Sequence, residues 1–551
     1  MFLRPIAPPY DPLVWERLPF PEKARLVCSS WALQGYGTPL GVYLVYLLKL
    51  VGYVGGWVWF CGYTPGMGGL AEIGGWGWTG AAFAKAILWS ALFELLGLGC
   101  GSGPLTGRYL PPIGGFLYFL RPGTTKLPLL PGAPLIGGIR RNAIDVLAYA
   151  GVLGLLVAGL VAAQPEAWLL WALAGALPLL GVLDRTLFLA ARGEHYWTAI
   201  VILALAGGVG EAADGAFVPG MMWLWAALWF WAGVSKLNHH FPAVVGVMLS
   251  NNPFVRFAWF RRRMYRDFPE DMGPSRLATW MAHAGTLLEL GVPVVLMLGD
   301  GGPVTWVGLG LMLGLHGFIM SNVPMGVPIE WNVVMMYGGF YLFWANPGVS
   351  PWAVSPATAL VVGVMGLVLP VLGNLLPARV SFLLAMRYYA GNWPFSVWLL
   401  RGESHKKLER LTKSSGWVHE QLGVLYDRPT CVALVGKVMA FRLMHLHGRL
   451  LPQLLPRAVE TIDDYQWMDG ELIAGLALGW NFGDGHLHGE QLLAAIQAQC
   501  EFAAGELRVI MVESQPLGQG TLAWRIVDAR DGLMAQGETA VAELRGRQPW
   551  G

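Results

Sequence analysis

Long apolar runs separated by short polar connections fill the chain up to about residue 376. Most runs are close to the roughly 20 residues that an α-helix needs to cross the hydrocarbon core of a bilayer. The pattern therefore predicts a polytopic bundle of about ten membrane-spanning helices, within a range of roughly 8 to 11. The predicted spans lie at about 41–61, 80–99, 145–163, 167–184, 196–208, 217–235, 283–299, 303–321, 329–345 and 353–376.

The pattern changes after about residue 379. Residues 377–429 mix tryptophans with basic residues along amphipathic stretches, which is typical of a segment that lies along lipid head groups. Residues 430–551 carry a helical spacing of apolar positions at 489–502, followed by strand-like runs. Strands are predicted at 507–514, 521–529 and 538–544. The predicted fold class is therefore mostly α, a transmembrane bundle with a small C-terminal soluble α+β domain.

These patterns divide the chain into five predicted parts. The parts are a cytoplasmic or interfacial segment at 1–35, two spans with a basic Gly- and Pro-rich loop at 36–144, the main transmembrane domain at 145–376, the amphipathic segment at 377–429 and the soluble domain at 430–551.

Composition supports a membrane protein and gives no support for nucleic-acid binding. Hydrophobic residues make up 55% of the chain and charged residues only 13%, against about 25% charged residues in soluble domains. The net charge of +2 provides no strongly basic surface for a nucleic acid. The 5 cysteines form no C-x-x-C pair, so neither a zinc knuckle nor a disulfide framework is predicted.

The distribution of Lys and Arg predicts the orientation of the chain. In a ten-span arrangement, the alternate loops on one side contain no Lys or Arg. These loops are 62–79, 164–166, 209–216, 300–302 and 346–352. The opposite side carries the five basic residues of 101–144 and a run of arginines near 256–276. By the positive-inside rule, both termini of this multi-pass protein lie in the cytoplasm.

Three ionisable residues on separate apolar runs carry the strongest functional signal. Lys236 follows the Trp-rich run 222–234, and Glu289 and His316 lie about five or six residues from the inner ends of their spans. At about 1.5 Å per residue, all three fall in one slab roughly 10 Å thick near the cytoplasmic side. We predict one pocket with Lys236 as a desolvated base, whose protonation Glu289 and His316 set. Two structural alternatives stay open: charges paired for stability, and Lys236 as an interfacial anchor.

Other polar residues near Lys236 or at the same depth are candidates for binding a substrate. If the helix continues beyond Lys236, the next turn places two histidines on its face. The predicted substrate-binding residues are Asn238, His239, His240, His283, Asn322, Glu330 and Trp331.

Three short motifs resemble a known superfamily. They are AGVSKLNHHF (232–241) at the end of an aromatic-rich helix, ELGVP (289–293) on a later helix, and a third helix with His316 in an apolar run. In this order and spacing they resemble the vitamin K-dependent γ-carboxylase-like superfamily and its bacterial HTTM domain, over about 140–345. The flanks at 97–112, 387–398 and 480–492 resemble an uncharacterised bacterial transmembrane family.

The resemblance implies a chemistry for the pocket. It implies carboxylase- or epoxidase-like turnover, with Lys236 as the base for a quinone or hydroquinone cofactor. It also implies that 145–376 is an HTTM-like domain in a bacterial inner-membrane protein. The alternative from another class is a non-catalytic lipid-binding or scaffold subunit, with membrane lipids as partners and the C-terminal domain docking a protein. Transport is a third alternative, although no matching pair of broken helices indicates inverted repeats.

The run GDGHLHGE (483–490) holds a candidate metal site. His486 and His488 form an H-x-H pair flanked by acids, which are ligand types that zinc and related metals accept. The same residues on a Gly-rich loop before a helix also fit turn and cap chemistry, so both interpretations stay open.

Overall fold

The computed structural model describes residues 2–99, 106–110, 114–209, 215–322, 329–380, 390–480 and 485–551. The protein is mostly helical. The first part contains α1 (Pro12–Trp15), α2 (Phe20–Gln34), α3 (Leu40–Cys61), α4 (Ile73–Trp76), α5 (Gly80–Leu95) and α6 (Phe116–Phe119). The central part contains α7 (Ala143–Val161), α8 (Ala167–Leu183), α9 (Arg185–Ala190), α10 (Gly193–Leu205), α11 (Val218–Ser235), α12 (Phe241–Leu249), α13 (Ala258–Arg262), the hairpin β1 (Tyr265–Asp267) and β2 (Asp271–Pro274), α14 (Arg276–Leu298), α15 (Pro303–Ser321), α16 (Ile329–Phe343), α17 (Pro356–Gly363) and α18 (Leu369–Leu375).

The last part mixes helices and strands. It contains β3 (Phe395–Arg401), α19 (Val418–Gly423), α20 (Arg428–Met444), α21 (Leu451–Ala458), β4 (Tyr465–Asp469), α22 (Gly470–Leu478), α23 (Glu490–Cys500), β5 (Leu507–Val512), β6 (Thr521–Asp528), β7 (Gly532–Ala540) and α24 (Val541–Gly546). Short 3₁₀ turns at Ser404–Arg410, His447–Leu450, Ile462–Asp464 and Gly485–His488 connect them, and a π-helical turn at Val364–Val368 joins α17 to α18.

Among the described residues, five helical stretches are long and apolar enough to cross a membrane. They are α3, α7, α14, α15 and the continuous stretch Pro356–Leu375. The number becomes six if α20 and the bent segment His447–Ala458, which meet at 95°, form one broken span. The protein is therefore embedded in a membrane, but the prediction of about ten spans is not confirmed.

The difference in span number comes mainly from helix length. α5, α8, α10 and α16 have 16, 17, 13 and 15 residues, fewer than the roughly 20 that cross a bilayer. A helix occurs in every predicted span, but α5, α10, α11 and α16 have mostly buried residues, and every residue of α5 is buried. The outer helices α3 and α14 instead expose large apolar side chains, such as Leu48 at 60% and Leu287 at 72%. Hydropathy measures how apolar a run is, and it does not distinguish a lipid-covered helix from a core helix.

Five strands form one antiparallel sheet in the order β4-β3-β5-β6-β7. β5, β6 and α23 agree with the predicted elements, whereas β7 begins earlier and α24 follows it at Val541. β3 lies inside 377–429, where the sequence predicted an interfacial segment, and its first six residues are buried. Residues buried on both faces give an unbroken apolar run without alternation, so the strand pattern is absent. Part of the predicted interfacial segment, 381–389, lies outside the described residues.

α2, near the N-terminus, packs against α20 of the last part of the chain. The buried side chains of Val27, Cys28 and Trp31 lie on α2, which packs along α20. The Lys437 amine donates a hydrogen bond of 2.6 Å to the Ser30 hydroxyl. The segment 1–35, predicted to be cytoplasmic or interfacial, is therefore built into the same body as the sheet.

Buried ion pairs hold the Gly- and Pro-rich loop against the helices. Lys126 contacts Asp145 at 2.5 Å and Arg141 contacts Asp184 at 2.5 Å, and all four side chains are buried. Since a lone buried charge costs several kcal/mol, each pair fixes the loop to a particular helix end. The basic residues that the sequence assigned to a cytoplasmic loop are thus partly core residues.

Candidate functional site

A cavity of about 170 Å³ lies between five helices. Side chains of α11, α12, α14, α15 and α16 line it, and most of them are apolar, including Val244, Met248 and Leu315. Phe318 also lines the cavity while 48% exposed, so the space reaches the lipid-facing surface. Ligand pockets are usually apolar with a few placed polar groups, and this cavity has that composition.

The end of α11 positions Lys236 at the edge of this cavity. The Lys236 amide donates to the Gly233 carbonyl at 3.1 Å, which tightens the last turn and stops the helix. The Asn238 side-chain oxygen then accepts hydrogen bonds from the His240 and Phe241 amides, and α12 begins at Phe241. The short turn between the two helices therefore holds the lysine in one place.

Lys236 and Glu289 form an ion pair inside the cavity wall. The lysine amine donates to Glu289 Oε1 and also lies 5.3 Å from the centre of the Phe241 ring. The two side chains are only 9% and 5% exposed. A pair this buried is weakly screened by solvent, so the attraction between the two charges is stronger than that of a surface pair.

Two hydrogen-bond acceptors in the wall are buried without a partner. Glu289 Oε2 and Asn322 Oδ1 have no hydrogen-bond partner in the described part of the chain. Both residues line the cavity. The Asn322 amide nitrogen already donates to the Phe318 carbonyl at 2.8 Å. An unsatisfied buried acceptor costs about 1–3 kcal/mol, so these two oxygens are the groups in the wall that a hydrogen-bond donor would stabilise.

His316 is held in one neutral form by its neighbours. The Trp229 indole N–H, which can only donate, points at His316 Nε2 at 2.9 Å. His316 Nε2 therefore carries the lone pair, and Nδ1–H donates to Asn332 Oδ1 at 2.8 Å. With both ring nitrogens occupied, His316 shapes the wall and leaves Glu289 as the open proton acceptor.

The structure brings together five of the predicted site residues and separates the others. Lys236, Glu289, His316, Asn322 and Trp331 line the cavity. The remaining predicted binding residues, namely Asn238, His239, His240, His283 and Glu330, do not line it.

The excluded residues have other surroundings. Asn238, His239 and His283 line a separate cleft, and His240 Nε2 lies 2.9 Å from the side-chain oxygen of Gln515. Glu330 lies fully buried with its Oε1 3.6 Å from Arg192 Nε. Glu330 is next to Trp331 in sequence, but one residue turns a helix by about 100° and points the side chain elsewhere.

The two histidines of the H-x-H pair, where the sequence predicted a candidate metal site, contact different side chains. His486 Nε2 lies 2.8 Å from Glu513 Oε2, and His488 Nδ1 lies 2.8 Å from the Ser396 hydroxyl, so the rings have different partners. Burial by itself raises the pKa of the Glu513 carboxyl, but the contact with His486 and the Ser514 hydrogen bonds hold that pKa below its usual value. In the described ranges, no group of three His, Cys, Asp or Glu residues could hold a metal. Asp484, an acid of the same run, lies outside them.

A family model described as transmembrane protein of unknown function (DUF3556) matches residues 1–551. The chain belongs to this family. No curated protein and no solved structure matches it. In this DUF3556 protein the match includes the bundle and the sheet, so the two parts form one family unit.

The resemblance to the HTTM and γ-carboxylase-like superfamily is wrong. The DUF3556 model covers the region of that resemblance, about 140–345, and no HTTM or carboxylase family matches. Its motifs were short and consisted of residues that membrane helices use often: glycine for close packing, proline, and a lysine at a helix end. Such motifs recur without common descent.

Two wall residues of this DUF3556 protein with hydrogen-bonding side chains, Trp229 and Asn332, were absent from the predicted site. Trp229 is one of several tryptophans in the α11 run, and no spacing distinguishes it from the others. Asn332 carried a usable signal, since an amide inside the apolar run of α16 needs a polar partner. That partner is His316.

Proposed function

We propose that this DUF3556 protein binds a lipid-soluble molecule whose head group donates hydrogen bonds, in the cavity between α11, α12, α14, α15 and α16. The observation that carries the proposal is Glu289 Oε2, a buried carboxylate oxygen without a partner beside an ion-paired lysine. A hydroxyl of the guest would donate to this oxygen. The apolar wall would cover the rest of the head group.

The open acceptors distinguish between classes of lipid-soluble guest. A phenol, an alcohol or a hydroquinone has the O–H groups that Glu289 Oε2 and Asn322 Oδ1 lack. An oxidised quinone offers only carbonyl acceptors, and it would leave both wall oxygens unsatisfied. The favoured class is therefore a hydroxyl-bearing molecule, with hydroquinone as one member.

The size and opening of the cavity fit a ring-sized head with an apolar tail. A cavity of about 150 Å³ in a protein core is known to accept a benzene ring, and the volume here is about 170 Å³. Phe318 lies at the lipid-facing edge, so a tail could leave the cavity beside it.

The same geometry could move a proton. A guest O–H that donates to Glu289 Oε2 could transfer its proton to the carboxylate, and the oxyanion formed would lie near the Lys236 ammonium. This assigns proton acceptance to Glu289 in place of the predicted Lys236, because the lysine amine already donates to Glu289 Oε1, whereas Oε2 has no partner in the described part of the chain.

Methylhydroquinone is expected to bind at least tenfold more tightly than its dimethyl ether. The ether keeps the ring but removes both donors, so about 1.4 kcal/mol or more of hydrogen bonding to the wall is lost. Titration calorimetry on the detergent-solubilised protein under anaerobic conditions measures the two affinities. Equal affinities would contradict the proposal, because the binding would then not use the acceptors.

A glycine on α14 allows the site to be located. Gly285 lines the cavity, and a Cβ added there meets no atom within 4 Å. Gly285→Leu should fill the space and abolish methylhydroquinone binding. Gly291→Leu is the matched control, since this half-buried glycine of the same helix also has open space but does not line the cavity. Binding that survives in Gly285→Leu would place the guest elsewhere.

A further inference from the structure

A second cleft lies at the beginning of α14, where the membrane span meets the C-terminal part. It consists of two adjoining spaces of about 540 and 630 Å³, which share Arg266, Pro274, Thr279 and His283 as lining residues. α24 of the C-terminal part closes one side through Arg545. The cleft is therefore formed jointly by the span and by the sheet-bearing part of the chain.

The charged side chains that line this cleft have one sign, and the nearby Asp271, which pairs with Arg266, is not among the lining residues. Its lining includes four arginines and two histidines, and the described residues contribute no Asp or Glu to it. These basic residues are Arg266, Arg276, Arg449, Arg545, His239 and His283. A concave surface lined by one sign of charge concentrates ions of the opposite sign, so the cleft favours an anion.

Two of the arginines are structural and two are available. Arg266 pairs with Asp271 at 3.0 Å, and Arg449 donates to the backbone carbonyls of Met272 and Arg547. Arg276 and Arg545 are exposed, and within the described ranges their side chains make no hydrogen bond or ion pair. Arg449 Nε is also buried without a partner. The cleft thus combines a fixed scaffold with free guanidinium groups, which match phosphate geometry.

The surface next to the cleft is apolar and lipid-facing. Trp280 lines the cleft and is 74% exposed. Leu277, Leu287 and Val294 are also exposed, and with Trp280 they repeat at helical spacing on one face of α14. Tryptophan beside arginine at the end of a span is typical of the level of lipid head groups. A lipid could therefore lay its acyl chains along this face and its phosphate in the cleft.

We propose that this cleft binds the phosphate head group of an anionic membrane lipid, with Arg276 and Arg545 as its direct ligands. The site is independent of the proposed cavity. Met281, Gly285 and Glu289 face the cavity at intervals of four residues, whereas Arg276, Thr279 and His283 line the cleft. Thr279 and His283 each come two positions before a residue that faces the cavity. Two positions along a helix correspond to a rotation of about 200°, so the two sites lie on different faces of α14.

The test compares soluble short-chain lipids on the full-length protein in detergent. The probes are dihexanoyl phosphatidylglycerol, dihexanoyl phosphatidylcholine and inorganic phosphate, with affinities measured by titration calorimetry. The phosphatidylglycerol should bind at least tenfold more tightly than either of the others. Inorganic phosphate binding as tightly as the anionic lipid would overturn the proposal, because the site would then be one for a free anion.

Two double variants distinguish lipid binding in the cleft from a general effect of surface charge on binding. Arg276→Gln/Arg545→Gln should weaken phosphatidylglycerol binding by roughly 30-fold, since each arginine near a lipid phosphate contributes about a factor of five. Arg256→Gln/Arg262→Gln removes the same amount of charge from exposed positions outside the cleft. This control variant should change the affinity for phosphatidylglycerol by less than twofold. An equal loss in both variants would overturn the assignment. Unchanged methylhydroquinone binding in both variants verifies the fold.

Discussion

Lys236→Met is expected to destabilise this DUF3556 protein by about 3–5 kcal/mol. The substitution keeps the side-chain volume but leaves the Glu289 carboxylate buried at 5% exposure without its cation. The glutamate can then escape the penalty only by taking up a proton. Denaturant unfolding in detergent, followed with a thiol-reactive dye, measures the loss, because the described cysteines Cys28, Cys61, Cys431 and Cys500 are buried until the chain opens.

A double variant separates this electrostatic effect from lost packing. Lys236→Met/Glu289→Gln removes both charges and should recover most of the stability, since replacing both members of a buried pair is often neutral. Lys406→Met is the surface control: Lys406 pairs with Glu403 at 2.6 Å, but both side chains are about 70% exposed, so stability should not change. An unfolding midpoint of Lys236→Met equal to that of the unchanged protein would show that the amine is not in a buried pair.

Counting residues along the helices brought three residues of separate helices to one level, but it did not predict the direction in which a side chain points. Lys236, Glu289 and His316 were placed at one depth by counting residues from the helix ends, and they do line one cavity. Glu330 was predicted at a similar depth and instead lies near Arg192, away from the cavity. Depth follows from the fixed rise of the helix, whereas direction depends on how the helices rotate against each other, which requires the packed structure.

The absence of information about packing between helices also explains which parts of the fold could not be predicted from the sequence. Apolar runs predicted the presence of helices correctly, but they did not separate the buried helix α5 from the exposed helix α3. β3 was missed because its partners β4 and β5, which pair with its two edges, are distant in sequence, and because both its faces are buried. Contacts between distant segments leave no local periodicity, so a pattern read along the chain does not contain them.

Arg442→Met is the second substitution expected to cost about 3–5 kcal/mol. The Arg442 guanidinium donates to both carboxylate oxygens of Asp469, at 2.8 and 3.1 Å, and all these groups are buried. It also lies 4.7 Å from the centre of the Phe395 ring. Methionine could pack against that ring, but Asp469 would remain as a buried carboxylate without its arginine.

The Arg442→Met substitution should first open the structure around Asp469, before the whole protein unfolds. Asp469 also accepts from the Glu471 amide at the start of α22 and is the last paired residue of β4, opposite Val397, so its reorientation should open these two elements first. Hydrogen exchange of the β4 amides should accelerate at least a hundredfold in Arg442→Met. Arg525→Met is the matched control in the same sheet, because its pair with Glu490 is about half exposed and should leave exchange unchanged. Equal exchange in the two variants would mean that the Arg442–Asp469 pair does not hold the sheet against α20. The contact of the sheet with α20 would then depend on apolar packing.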